Sequence, residues 1–200
     1  MHHRLCLIGS LALSAWLMPC AAAELEELTQ RCSRCHGEQG YSEHPDVPVI
    51  AGFSYQGFID TLAAFREGER VAIKYETPGS PAIMMNDIAR ELSEAEVETL
   101  ARYYSGIPFI PRRQAFDPAL AAEGAKVHDK SCEKCHSKGG SDPQDDAAIL
   151  AGQWTPYLRR QFGNITDGKR TMPRRMMAKF RKLSDTDKEA LLNFYASRVD

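Results

Sequence analysis

The sequence predicts an all-α protein of two tandem domains, each with about three main helices, and three observations carry that prediction. A five-residue word occurs twice, as Cys32-Ser33-Arg34-Cys35-His36 and as Cys132-Glu133-Lys134-Cys135-His136. Other residues recur with it. Ala51-Gly52, Gly68 and Arg70 return 100 positions later as Ala151-Gly152, Gly168 and Arg170, while Leu92-Ser93 and Tyr104 return 91 positions later as Leu183-Ser184 and Tyr195. Between these landmarks, apolar residues fall three and four apart behind helix-capping residues. Length alone allows one or two domains, and the internal repeat decides for two. The drop in offset puts nine extra residues in the first half, and Val71 to Pro81, with Pro78, Gly79 and Pro81, is the expected inserted loop.

Residues 1–23 read as a cleavable signal peptide. Arg4 supplies a positive start, Leu5 to Met18 a mostly apolar run, and Ala21-Ala22-Ala23 an A-x-A site before Glu24. The run is shorter than the roughly 20 residues of a membrane span. Leu17-Met18-Pro19-Cys20 loosely resembles a lipobox, so lipidation at Cys20 is the alternative, one that Pro19 fits poorly. Removing the leader takes Cys6 and Cys20 with it and leaves four cysteines, all in the repeated words. Residues 24–108 then form the first domain and residues 109–200 the second. The first helix of each domain runs into its word, from Glu24 to Arg34 and from Pro118 to Lys134, the latter opened by Asp117-Pro118. The middle helix carries Tyr55, Phe58, Ile59, Leu62 and Phe65 on one face, and its partner runs from Thr155 to about Ile165. The last helices open with capping-box pairs, Ser93 with Glu96 and Ser184 with Asp187. Val97, Leu100, Ala101 and Tyr104 line one of them; Leu191, Leu192 and Tyr195 line the other. Gly106 to Phe116, where Pro108 and Pro111 disfavour helix, is the linker.

C-x-x-C-H is the attachment sequence of a c-type haem. Two cysteines three apart present their sulfurs to the two vinyl groups of one porphyrin, and the histidine that follows lies under the iron. Cys32, Cys35, Cys132 and Cys135 are therefore expected to hold two haem c groups covalently, with His36 and His136 as iron ligands. Export suits such attachment, which takes place outside the cytoplasm in bacteria. Disulfides, redox dithiols or a zinc site built from the four cysteines are the alternatives. None of them explains a histidine directly after each pair. A covalent haem also adds an apolar body to a core that so short a domain could scarcely supply alone.

Each iron then needs a second protein ligand, which suits electron transfer, or an open face, which suits catalysis or gas binding. Methionine is the candidate, because its thioether is a soft, neutral donor that raises the reduction potential. The choices are Met84 and Met85 in the first half and Met172, Met176 and Met177 in the second. Met85 lies seven residues before Leu92 and Met176 seven before Leu183, so the repeat selects these two, with Met172 as the alternative in the second half. His44 and His128 read as surface histidines, the first in a polar loop and the second on the proximal side. Tyr41, Tyr55, Trp154 and Tyr157 either meet haem propionates or pack as ordinary core aromatics. A backbone carbonyl is expected to accept the N–H of each proximal histidine, from Pro48 in the first half and, by offset, from Ala148 in the second.

These residues resemble a family. The two-domain plan, with C-x-x-C-H, an Ala-Gly step, Gly-x-Arg and a methionine seven before Leu-Ser, resembles the cytochrome c4 group of diheme cytochromes. Within the second half, the stretches from Ala125 to His136 and from Ile149 to Leu158 resemble the diheme cytochrome subunit of flavocytochrome c sulfide dehydrogenase. The resemblance implies two class I cytochrome c domains, each folded around one haem. It also implies that the haem subunit docks on a separate FAD-bearing subunit where sulfide is oxidised. This chain would then be the electron-accepting subunit of an oxidoreductase rather than its catalytic subunit, with a small cytochrome c or an oxidase as acceptor.

Charge divides unevenly. Residues 24–108 hold 7 Lys+Arg against 15 Asp+Glu, and residues 109–200 hold 17 against 12. Arg174, Arg175, Lys179, Arg181 and Lys182 bracket the Met176 segment, either as a solvated face or as a steering patch for an acidic redox partner. An exported chain of net charge −2 is a poor nucleic-acid binder, and no G-x-G-x-x-G or P-loop motif offers a flavin or nucleotide site of its own. A free-standing diheme carrier is the rival reading. A catalytic diheme enzyme would need an open distal site, against which the matched methionines argue.

Overall fold

The computed structural model describes residues 18–76 and 81–199, so most of the expected leader and the tip of the expected inserted loop lie outside the described residues. The first half holds α1 (Met18–His36), α2 (Tyr55–Glu67), α3 (Met85–Glu91) and α4 (Glu94–Ser105). The second holds α5 (Pro118–Ser131), α6 (Thr155–Thr166), α7 (Arg174–Phe180) and α8 (Asp185–Ser197). Single helical turns at Glu38–Gly40, Ser137–Gly140 and Pro143–Asp145 shape the loops after the two words. The described residues contain isolated backbone bridges and no strand.

Local chemistry accounts for the helix ends. The Ser54 side chain accepts from Gly57 N at the start of α2, and Gly68, at φ 79, ends it in the left-handed region. The Asp117 carboxylate accepts from Ala119 N and Leu120 N ahead of Pro118 at the start of α5. Both expected capping boxes are present, Ser93 with Glu96 on α4 and Ser184 with Asp187 on α8.

Each half has its own core. In the first, Leu28 of α1, Phe58, Leu62 and Phe65 of α2, and Val97, Leu100, Ala101 and Tyr104 of α4 are buried together. In the second, Leu158 of α6 packs on Leu191, Leu192, Phe194 and Tyr195 of α8. The helix faces expected from the sequence are thus the buried ones. The crossing of α5 on α8 is so close that a Cβ at Gly124 would lie 2.1 Å from Ala190 O.

Three expectations need correction. The first helix of the first half begins at Met18, within the expected leader, and extends to His36. In the second half, α5 stops at Ser131, and Cys132 to His136 form turns closed by Cys135 N and His136 N donating to Cys132 O. The methionine segments, expected as loops, contain the seven-residue helices α3 and α7. Helix α3 is too short to persist alone, and tertiary contacts hold it. Arg66 Nε and Nη2 of α2 donate to Ala89 O (2.9 Å) and Leu92 O (2.7 Å), carbonyls at its C-terminal end.

The halves meet along a seam with local two-fold character. Val71 N donates to Lys169 O and Thr171 N to Glu69 O, on either side of an antiparallel bridge between Arg70 and Arg170. These are equivalent positions of the repeat. Away from this axis the contacts are one-sided. Buried Gln153 accepts from Val49 N and donates to Val49 O, both at 3.0 Å. Trp154 Nε1 donates to Ser42 O, Tyr157 N to Pro45 O, and Arg160 pairs with Asp46.

Candidate haem-attachment sites

In the first word, Cys32 and Cys35 are half-buried near the end of α1, and buried His36 is its last residue. The chain reverses through Gly40, which is at φ +83, where Gly40 O accepts from Ile50 N at 2.9 Å. A Cβ there would meet Ile50 Cγ1 at 2.7 Å, so glycine lets the return strand of the loop lie close. That closeness sets Pro48 beside the histidine, and His36 Nδ1 donates to Pro48 O at 2.9 Å. The second word repeats the device. Gly140 O accepts from Leu150 N at 2.9 Å, and His136 Nδ1 donates to Ala148 O at 3.1 Å. Only a carbonyl is needed, so alanine replaces proline without changing the bond.

Committing Nδ1 to a carbonyl fixes the ring plane and leaves Nε2 as the nitrogen for a metal. Burial pushes both imidazoles below their ordinary range, opposed in each by that carbonyl bond. A neutral imidazole is the form that ligates. Burial likewise pushes the Cys32 and Cys132 thiols up, against hydrogen bonds to the repeat-equivalent Tyr104 and Tyr195.

All four cysteines are free thiols. Among the described residues no group of three or more His, Cys, Asp or Glu side chains is arranged to hold a metal ion. Each pair stands with its own histidine in its own half of the chain. Met85 is the first residue of α3 and packs half-buried on the first core, with Met84 at the helix cap. Met176 is the third residue of α7 and also half-buried, followed by half-buried Met177, while half-buried Met172 precedes the helix. The repeat-related pair thus lies in the first turns of two equivalent helices.

His128 is not a surface residue. It is completely buried, with Nε2 at 2.8 Å from Glu133 Oε2 and 3.0 Å from His136 O. Two acceptors on that side assign the proton to Nε2, so Nδ1 accepts from Tyr195 O–H at 3.0 Å. His128 therefore ties α8 to the second attachment word. Its spacing from buried Ala121 and Gly124, and its place 100 residues after core Leu28, were the signals of burial. His44 is exposed, as expected, with its ring edge against Tyr75. The aromatics have protein partners: Tyr41 donates to Pro108 O, Tyr157 accepts from Arg70, and Tyr55 lies by the Arg102 guanidinium. Arg174, Arg175, Lys179, Arg181 and Lys182 are all exposed around α7.

Residues 23–106 match the family described as cytochrome c, and residues 119–194 match cytochrome C oxidase, cbb3-type, subunit III. The chain is 31% identical over 84 residues to cytochrome c-554(548) of Halomonas halodenitrificans, covering 42% of this chain and 93% of that one. It belongs to the cytochrome c family. The two-domain relatives refine this. Cytochrome c4 of Stutzerimonas stutzeri is 29% identical over 184 residues, 82% of either chain. A thiosulfate dehydrogenase electron acceptor of Thiomonas intermedia is 27% identical over 84% of this chain and 77% of its own. The crystal structure of reduced recombinant cytochrome c4 from Pseudomonas stutzeri superposes with a TM-score of 0.69 at 26% identity, over 89% of this chain and 98% of that one. This cytochrome is accordingly an all-α, two-domain, diheme c4-like electron carrier with two covalently bound haem c groups. The free thiol pairs and the histidines with only Nδ1 committed fit that cofactor.

Proposed function

We propose that this cytochrome is exported to the periplasm by a cleavable signal peptide and serves as the haem subunit of a sulfide dehydrogenase. It would take electrons from an FAD-containing subunit and pass them to a small cytochrome c or an oxidase. Residues 24–108 and 109–200 are its two domains. Cys32 with Cys35, and Cys132 with Cys135, hold the haems; His36 with Met85, and His136 with Met176, are the axial ligands. The haems supply reversible one-electron chemistry. The chain's own residues do the rest. Pro48 O and Ala148 O fix the proximal rings, the buried core around each word excludes water, and His128 holds the second word against α8.

The observation that carries the sulfide dehydrogenase reading is the pair of second-half stretches, Ala125 to His136 and Ile149 to Leu158. They contain His128 and Gln153, two buried side chains that hold the second word and the seam between the halves. Similarity to a thiosulfate dehydrogenase electron acceptor favours a second reading, a carrier serving a different sulfur-oxidising partner. Purification from the periplasmic fraction tests both. Stoichiometric FAD in a co-purifying polypeptide supports the first; two haems with no flavin and no partner returns a free-standing carrier. Met85→Ala and Met176→Ala should each lower the potential of one haem while the fold persists, and unchanged potentials in both would sink the methionine ligands.

A further inference from the structure

Helices α3 and α7 carry Met85 and Met176, the axial ligands proposed above, in equivalent first turns, yet the two helices are held in unequal ways. Beside Met85 stands Asn86, which is 6% exposed. Its Nδ2 donates to Phe65 O of α2 and to Arg70 O, both at 2.8 Å, and its Oδ1 accepts from Ala72 N at 2.9 Å. These bonds fix the first turn of α3 against α2 and the start of the inserted loop. Arg66 secures the other end through Ala89 O and Leu92 O.

The repeat replaces both anchors in the second half. Asn86 corresponds to Met177, and Arg66 to Thr166, whose hydroxyl donates to Phe162 O of its own helix. Among the described residues no side chain of α7 hydrogen-bonds to another element, and the backbone bonds flanking it stay within residues 173–183. Met85 and Ile88 pack on the first core, whereas the second core takes in Leu183 but neither Met176 nor Met177. Buried Phe180, edge-on to Phe162 of α6 at 5.5 Å, is what pins α7. Charge works against this helix as well. Helix α3 has Asp87 in its first turn and Arg90 in its last, paired at 3.2 Å. Helix α7 begins with Arg174 and Arg175, and Arg175 lies one turn from Lys179. Cations at a helix N-terminus oppose its dipole, and like charges four apart repel.

We propose that the second haem has an exchangeable sixth position that takes a small anionic iron ligand, while Asn86 keeps the first haem closed. The proposal rests on Met85 and Met176 being the resting ligands. A seven-residue helix has little stability of its own, so its tethers set how often it opens. Each net hydrogen bond is worth about a factor of five in that equilibrium, and the three of Asn86 together on the order of a hundredfold. Opening withdraws the Met176 thioether as a neutral group, and the anion donates a lone pair in its place without electron transfer. The exposed cations around α7 favour an anion, and the charge of Lys179 reaches Cys132, which sets them beside the second word. Asn86 is in these terms a positioning residue for Met85.

The test mixes the oxidised diheme protein with cyanide and follows the haem spectrum together with hydrogen exchange of the two helices. One cyanide should bind per chain in a fast phase, and a peptide covering α7 alone should lose protection. Before cyanide is added, α7 amides should already exchange on the order of a hundredfold faster than those of α3. In Asn86→Ala the slow phase of the first haem should accelerate on the order of a hundredfold, with the fast phase unchanged. A merely structural loss would not single out one phase. If Asn86→Ala yields no diheme protein, Arg66→Met, which removes the tethers at the other end of α3, is read by the same criterion. Equal reaction at both haems, or equal protection of α3 and α7, overturns the proposal. A resting spectrum with methionine at neither haem is seen before any cyanide is added, and it fails the ligand assignment and the proposal with it.

Discussion

Replacing Gly124 by alanine should destabilise the second domain, whereas the same replacement at Gly163 should stabilise it. Both glycines lie inside helices, α5 and α6, where alanine is intrinsically preferred by about 1 kcal/mol. What differs is the space. A Cβ at Gly124 would sit 2.1 Å from Ala190 O, 2.5 Å from Ala190 C and 2.7 Å from Phe194 Cβ. Ordinary contact begins at 3.4 Å, so the helices must part by about 1.3 Å, the difference from the 2.1 Å approach. Two of the three obstructing atoms are backbone of α8, whose start is fixed by the Ser184 capping box, and no rotamer change can relieve them. Overpacking of this kind costs about 1–3 kcal/mol, and the upper end applies where backbone must move. Subtracting the propensity gain leaves Gly124→Ala about 1–2 kcal/mol less stable than the parent. At Gly163 nothing lies within 4 Å, so the propensity gain stands alone. Thermal unfolding of the diheme protein, followed by far-ultraviolet circular dichroism, should show the domain melting about 4–8 °C lower per kcal/mol lost. Equal stability changes of the same sign at the two positions would refute the close-approach argument.

Three further outcomes are expected. His128→Leu, which copies Leu28 of the first half, strands Tyr195 O–H and His136 O in the interior; it should cost about 2–3 kcal/mol in urea unfolding of the second domain, and a loss below half a kcal/mol would remove His128 from the framework. Gln153→Leu leaves Val49 N–H and C=O unpaired at the seam, weakening docking by about 2 kcal/mol, so trypsin should cut the Arg112–Arg113 linker roughly thirtyfold faster where opening limits the rate; an unchanged rate counts against a docking role. Hydrogen bonds from Ser93 hold the Glu96 carboxyl below its ordinary value of 4.5, and those from Ser184 hold Asp187 below 3.8. A depressed folded-state value adds stability above the unfolded value, which disappears as pH falls through the folded one. The melting temperature should therefore drop below about pH 4.5, and Glu96→Gln should lower it at pH 7 while flattening that acid limb; parallel curves for the two proteins would contradict the capping assignment.

Much of this architecture was legible because it is local. Capping boxes need residues three apart, and Ser93 with Glu96 and Ser184 with Asp187 both form. The 3–4 spacing of Phe58, Leu62 and Phe65 marked a face that is buried. A carbonyl acceptor was expected for each proximal histidine, and the repeat offset carried it from Pro48 for His36 to Ala148 for His136, although one is proline and the other alanine. What escaped is non-local. Helix α3 depends on Arg66 reaching its C-terminal carbonyls from another helix, and its seven residues carry no independent signal. The polarity of His128 suggested solvent, yet its three partners lie up to 67 residues away and satisfy it inside. The Arg70–Arg170 pairing was visible only as a repeated Gly-x-Arg, with no hint that equivalent positions face each other.

The short connection between the halves changes what the seam has to achieve. Gly106 to Phe116 spans eleven residues, and Arg112 N bonds back to Gly152 O at 2.7 Å, so the tether is itself pinned close to the contact it serves. Two separate chains meeting through these few polar contacts would have to overcome the loss of translational freedom at every encounter. Here the partner is always present at an effective concentration in the millimolar range. A patch too weak to hold a dimer together can therefore keep two domains in register, and it can also open and reclose without the halves ever being lost to each other.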